Sequence, residues 1–375
     1  MKLTKLSIAL LGCASMTAGV ASAAAPTLKE VLGASEITVN GYVDAAYTHM
    51  DTDSGTASAN YFDSNSSNTF RLKQAGITIA SQPAEGFGAL VNLTGGDDAN
   101  SIHSANGGSS SNIDVTQAFV QYAGSGFTVI GGKFNTLAGA EVIAPTGNTN
   151  ISRSIAFLNA LPFTHTGVRV SYAPVSTVTL YAGVNNGWDQ ADDQNKGKTT
   201  ELGVSWAPVD MFSGAVYAYM GKEGVTNPVL GTSAGSIGGT GPGSKLTLVD
   251  VVATIKPIAP LAIVLNYDTD KLEDGIAAGQ DAKWDALNVY FNYQATEKLR
   301  GSLRLEQFND KDGFKTAVAD NKLKGITLTV GYSPVPAFEV RGEVRQDKSD
   351  EKIYTKDGAP EDTQTYFAVE GLYKF

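Results

Sequence analysis

The sequence predicts an all-β fold: a transmembrane, antiparallel, up-and-down β-barrel of about sixteen strands that follows a cleaved signal peptide. Three observations predict it. From residue 37 to the end, segments of about ten residues alternate apolar and polar side chains, the length a tilted strand needs to cross a bilayer core. Many of the polar faces carry Arg, Glu or Asp. They cannot form the core of a two-sheet sandwich, because unpaired buried charge is too costly, so they need water. The connections alternate short and long, as in a meander with tight turns at one end and loops at the other.

Residues 1–23 read as a secretory signal peptide. Lys2 and Lys5 make a basic start, an apolar stretch begins at Leu6, and Ala21-Ser22-Ala23 is a small-residue cleavage site. The stretch is too short to span a membrane as a helix. Leu10-Leu11-Gly12-Cys13 loosely resembles a lipoprotein processing site, but Leu11 is bulky where a small residue is usual. Cleavage after Ala23 leaves 352 of the 375 residues and removes Cys13, the single cysteine. No disulfide framework or thiolate site is then expected. Residues 24–36 form a short N-terminal segment with one helical turn at 28–32, and the barrel is expected over 37–375. A net charge of −10 argues against nucleic acid as a partner.

The strands justify themselves in turn. Val168, Val170 and Tyr172 oppose His165, Arg169 and Ser171. Leu202, Val204 and Trp206 oppose Glu201, Gly203 and Ser205. Val249, Val251, Ala253 and Ile255 oppose Asp250 and Lys256. Leu287, Val289, Phe291 and Tyr293 oppose Asn288, Tyr290 and Asn292. Leu299, Leu303 and Leu305 oppose Arg300, Arg304 and Glu306. Ile326, Leu328, Val330 and Tyr332 oppose Thr327 and Thr329. Phe338, Val340 and Val344 oppose Glu339, Arg341, Glu343 and Arg345. Two segments fit less well. Parity changes between Phe70/Leu72 and Ile77/Ile79, for which a bulge near Gly76 would account. It is unclear around Gly131 and Gly132.

Short connections are expected at 83–86, 124–126, 174–176, 208–212, 257–260, 295–297 and 334–336. Long polar ones are expected at 51–68, 97–112, 137–163, 188–197, 224–243, 271–282, 310–321 and 348–362. The third long connection, residues 137–163, has room to fold inward and narrow the lumen. Glu141 and Arg153 are candidates for opposed charges at a constriction, with Lys133 beside them. An exposed loop with an incidental Glu141–Arg153 relation is the plain alternative.

Residues 365–375, TYFAVEGLYKF, put Thr365, Phe367, Val369, Gly371, Tyr373 and Phe375 on one face. That apolar, aromatic edge suits closure inside lipid. It resembles the carboxy-terminal signal of bacterial outer-membrane barrels, with Tyr373 and Phe375 as the insertion signal read by the barrel assembly machinery. A second resemblance is more specific. Gly132–Thr136, Gly139-Ala140-Glu141-Val142, Asn150-Ile151-Ser152-Arg153-Ser154 and Pro162-Phe163-Thr164-His165-Thr166-Gly167-Val168 are similar to motifs of the OmpL-like β-barrel porin family. Ile37-Thr38-Val39-Asn40-Gly41-Tyr42-Val43-Asp44 resembles that family's first strand. Ala140 stands where the family often has an aromatic residue. The resemblance implies a channel in the bacterial outer membrane, reached through the periplasm, and implies no particular solute.

The expected function is therefore a water-filled pore for passive diffusion of small hydrophilic solutes or ions. Its lumen-wall candidates are Arg169, Glu201, Asp250, Arg300, Arg304, Glu306, Glu339, Arg341, Glu343 and Arg345. Asp44 and Glu370 are further acidic candidates. Tyr172, Trp206, Tyr293, Tyr332, Tyr373 and Phe375 are expected to face lipid near its interface. Outer-membrane lipid and lipopolysaccharide are expected partners, a homotrimer is expected by analogy with general porins, and no cofactor or metal is called for. A structural or adhesive barrel with a blocked lumen shares every strand-level feature. Enzymatic activity is not expected: His49, His103 and His165 are scattered and no nucleophile is placed beside a base.

Overall fold

The structure, a computed structural model, describes residues 36–53, 68–104, 112–193, 195–223 and 244–375. The signal peptide, residues 24–35 and much of the first, second and fifth long connections lie outside the described residues. Strands β1 (Thr38–Met50), β2 (Thr69–Ser81), β3 (Gly86–Gly95), β4 (Ile113–Gly124), β5 (Phe127–Asn135), β6 (Thr164–Val175), β7 (Val178–Asn185) and β8 (Thr199–Val209) make the first half. The second half is β9 (Phe212–Lys222), β10 (Lys245–Ile258), β11 (Leu261–Ala277), β12 (Gln280–Gln294), β13 (Leu299–Asp310), β14 (Asn321–Val335) and β15 (Phe338–Ser349). It continues through β16 (Tyr354–Lys356) and β17 (Ala359–Glu361) to β18 (Thr363–Lys374). Each barrel strand pairs with its sequence neighbour, and β18 pairs with both β15 and β1 to close a barrel of sixteen; β16 and β17 form a separate hairpin. A short helix, α1 (Ala99–Ile102), follows β3. At the seam Val43 faces Tyr373, and Gly41 and Phe375 exchange two backbone hydrogen bonds of 2.9 Å.

Alternation decides the faces. Along β14, Ile326, Leu328, Val330 and Tyr332 are exposed while Thr327 and Thr329 are buried. Along β18, Phe367, Val369 and Tyr373 point outward and Tyr366, Ala368, Glu370 and Leu372 inward. The outward residues suit lipid and the inward ones carry the charges. Tyr293, Tyr332, Tyr373 and Phe375 are about half exposed, and all lie at the end of the barrel that carries the short turns. Phe127 and Tyr172 stack at 4.1 Å on the same rim. Among the described residues no helix is long and apolar enough to cross a membrane; the crossing elements are strands.

Three expectations change. The bulge in β2 lies at Lys73, not near Gly76: Asp44 pairs with Gln74, Ala45 with Leu72, and Lys73 and Gln74 are both buried. The bulge lets two consecutive side chains point inward. Residues 271–282 are not a polar loop: β11 and β12 continue as a hairpin in which Ala277 pairs with Gln280. Residues 348–362 are not irregular throughout, because β16 and β17 pair within them. The β5 segment with unclear parity pairs without a break, although Gly132 takes φ +138°.

Candidate functional site

The connection between β5 and β6 is built by its own residues before it meets the wall. Pro145 opens a one-turn 3-10 helix, Pro145–Gly147. The Asn148 amide accepts from Val142 N and donates to Val142 O and Ala144 O, closing a compact turn. Ser154 caps α2 (Ile155–Asn159), its hydroxyl accepting from Phe157 N at 3.1 Å. Gly139, at φ +93°, is pressed against Leu161, where a side chain would collide. Arg153 is buried within this loop; its guanidinium donates to Val142 O, Ile151 O and Ile143 O.

The loop lies against the inward faces of β11 to β15. Arg300 donates to Thr149 O at 2.8 Å, and Arg341 to Pro145 O at 3.2 Å. Arg304 donates to Ser152 O at 2.7 Å and Arg345 to Arg153 O at 2.6 Å. The carboxylates take the loop's amides: Glu343 accepts from Ile151 N and Ser152 N, and Glu306 from Ile155 N. Asn150 donates to Thr329 and Asn266 accepts from Ala140 N. Glu141 pairs with Arg304 at 2.8 Å and accepts from Ser154 N at 2.7 Å. This pattern has a physical cause. Inward charges withdrawn from water need partners, and an inward loop must satisfy its own backbone; each supplies the other.

The charges also pair along the wall: Arg300–Glu339 at 2.6 Å, Arg341–Glu339 at 2.9 Å, Arg341–Glu370 at 3.3 Å, Arg304–Glu306 at 2.7 Å and Arg345–Asp347 at 2.8 Å. Farther round, Arg169 holds Glu201 through two hydrogen bonds of 2.5 and 2.7 Å and covers the Phe134 ring at 4.3 Å. Lys133 pairs with Asp114 at 3.2 Å. Asp250 lies opposite Asp268 and accepts from Asn266 at 2.6 Å. Asp268 and Asp270 are inward residues that a parity count from Val249 and Val251 across the β10–β11 pair would have found. Asp98 is another; it accepts from Gln74 at 2.9 Å, and nothing in its irregular segment signals that.

Inside the loop-bearing end, the opposite side of the third loop is apolar. Ile155, Ala156, Ala160 and Leu161 join Tyr219, Leu248, Trp284 and Phe308 in one buried cluster. A clamp outside the strands fixes the loop's exit. Asp189 accepts from Phe163 N and Thr164 N at 2.7 and 2.8 Å, and Glu223 accepts from Trp188 N at 2.9 Å and from the Thr199 hydroxyl. Burial raises both carboxyls to about 7.

Open space survives at the turn end, beneath the loop. A cavity of about 330 Å³ is lined mostly by neutral groups, among them Asn40, Thr78, Asn92, Thr116 and Gln117. A second of about 500 Å³ is lined by Lys298, Arg300, Arg341, Glu297 and Glu339. Thr146 and Lys374 line both. His165 stacks on Tyr219 at 4.8 Å and its Nδ1 faces Gly187 O, a packed position. Among the described residues no group of three His, Cys, Asp or Glu side chains is arranged to hold a metal.

Comparison with known proteins follows the same lines. The family described as beta-barrel porin-2, OmpL-like, matches residues 36–375. No curated protein matches. Among solved structures, the outer membrane channel DcaP of Acinetobacter baumannii is similar at TM-score 0.60 and 12% identity, over 90% of this chain and 97% of that one. The anion-selective porin from Comamonas acidovorans is similar at 0.61 and 14%, over 90% and 99%. The trimer form of in-vitro folded OmpT, an outer membrane protein of Vibrio cholerae, is similar at 0.60 and 13%, over 90% and 99%. At these identities the likeness is one of fold.

Proposed function

The chain belongs to the OmpL-like beta-barrel porin-2 family, and from that premise we propose that it is an outer-membrane pore for passive diffusion of small hydrophilic solutes or ions. The observation that carries the reading is the third loop, hydrogen-bonded to the inward charges of the wall and leaving water-accessible space beneath it. Solutes cross beside the loop and meet the half-exposed lining at the turn end. Glu141 and Arg153 act as struts that hold the loop's shape, while Lys133, with Asp114, borders the route on the β4–β5 side. No step of this mechanism breaks a covalent bond, so no catalytic group is assigned. Assembly as a trimer is part of the proposal, with outer-membrane lipid around the aromatic rim and lipopolysaccharide around the loop-bearing end.

Single-channel conductance of the refolded protein in a planar bilayer, under two salt gradients, tests it. Stable steps support the pore, and the reversal potential gives its sign of selectivity. A barrel blocked by its third loop has one observation in its favour, the apolar cluster that fills part of the loop-bearing end. A protein that inserts, shifts its gel mobility on heating and stays electrically silent supports that second reading.

A further inference from the structure

Lys315 lies in the connection between β13 and β14, and its ammonium is surrounded by ring faces. Its Nζ is 4.7 Å from the Trp284 ring centre, 5.7 Å from Phe314 and 6.0 Å from Trp188. Trp284 and Phe314 stack at 5.5 Å with their planes 10° apart. The rings come from three places in the chain: the β7–β8 connection, β12, and the lysine's own loop. Trp284 is fully buried and Trp188 nearly so, while Lys315 itself is half-buried. The cage therefore has a wall and a mouth.

Acidic side chains stand around the cage. Asp270, Asp310 and Asp189, all buried, are the carboxylates whose fields act on the ammonium. Among the described residues no carboxylate oxygen lies within 4.0 Å of Lys315 Nζ. Ring faces hold this cation at first contact, with carboxylates behind them. Asp310 also accepts from the amides of Phe314, Lys315 and Thr316. Those bonds fix the backbone on either side of the lysine.

Aromatic faces backed by carboxylates recognise weakly hydrated organic cations better than compact, strongly hydrated ones. We propose that Trp188, Trp284 and Phe314 form a binding site for a small alkylated ammonium ion at the loop-bearing end of the barrel, and that Lys315 is its tethered competitor. The lysine occupies the cage when no ligand is present. A ligand must displace it, which lowers the apparent affinity of the intact protein. Burial also weakens the hold of Lys315 on its proton, against the pull of Asp270, Asp310 and Asp189, so the native occupant is held less firmly than a permanently charged one.

Two experiments on the full barrel in maltoside micelles test this. In the unaltered protein, choline chloride is titrated at constant ionic strength while Lys315 is labelled with an amine-reactive reagent and read by mass spectrometry. Choline should raise the labelling rate of Lys315 and leave Lys256, on the far rim, unchanged. Labelling of Lys315 that does not respond to choline overturns the proposal. In Lys315→Met, choline should quench tryptophan fluorescence saturably, at a concentration about tenfold lower than in the unaltered protein. The neutral isostere 3,3-dimethyl-1-butanol should not do so. Equal response to the two probes would make the cage a mere apolar pocket and would also overturn the proposal.

Discussion

Arg304 shows how much one inward side chain carries. It has no solvent exposure, and it donates to Glu141, Glu306, Thr327 and the Ser152 carbonyl. Removing it leaves two carboxylates buried beside each other and unhooks the loop. Arg304→Met should therefore lower stability by about 3–5 kcal/mol, read as a shifted urea midpoint in tryptophan fluorescence. Arg304→Lys should recover only part of it, because an ammonium cannot reproduce a planar fork that meets several oxygens at once. The inward direction of Arg304 was legible from Leu303 and Leu305 on either side. Its partner Glu141 was singled out as a charge opposed to Arg153, and its pairing with Arg304 was not legible. Glu141 sits in an irregular loop, and a period of two says nothing about where such a loop goes.

At the scale of elements, the clamp of Asp189 and Glu223 links the third loop's exit to the next two connections. Both carboxyls sit near 7 when folded, against about 4 in an unfolded chain. Between those values the folded protein binds more protons than the unfolded one. Stability contributed by the clamp is thus fullest in acid and falls as pH rises from about 4 to about 7. Urea midpoints measured across that window should decline. Asp189→Asn combined with Glu223→Gln should flatten the decline, and an unchanged slope would remove the clamp from the account. The elements themselves were largely legible. Alternation located the strands, and Pro or Gly located the turns except at 295–297. The bulge at Lys73 was visible only as a change of parity, since its position depends on which residue of β2 is left unmatched by β1. The β11–β12 hairpin was misread because Lys271, Glu273 and Asp274 look like loop residues, yet an exposed hairpin beyond the membrane tolerates charge on both faces.

The whole molecule depends on a seam between residues far apart in sequence. Gly41 lies against the Phe375 ring, and any side chain there would overlap it. Gly41→Leu should push Phe375 off the rim and lower the temperature at which the folded band converts to the unfolded one in a semi-native gel. Conversion at the unaltered temperature would show that the ring's seat is dispensable. Closure into sixteen strands followed from the strict alternation of connections. The filling of the loop-bearing end did not. Leu246, Leu248, Trp284 and Phe308 share the inward faces with charged residues, and nothing in their spacing distinguishes an apolar inward residue that meets a loop from a polar one that meets water.

The β11–β12 hairpin has one more consequence. Its 17-residue first strand reaches about 55 Å at ordinary strand rise, roughly twice the apolar band of a membrane barrel. Its tip is exposed, and a side chain at Gly279 would meet nothing within 4 Å. With the long connections facing outward, that tip is expected to stand as a mast on the bacterial surface. A short epitope inserted after Ala278 should be bound by antibody on intact cells, measured by flow cytometry, without disturbing the wall below. A tag detected only after the cells are broken would mean that the mast points the other way.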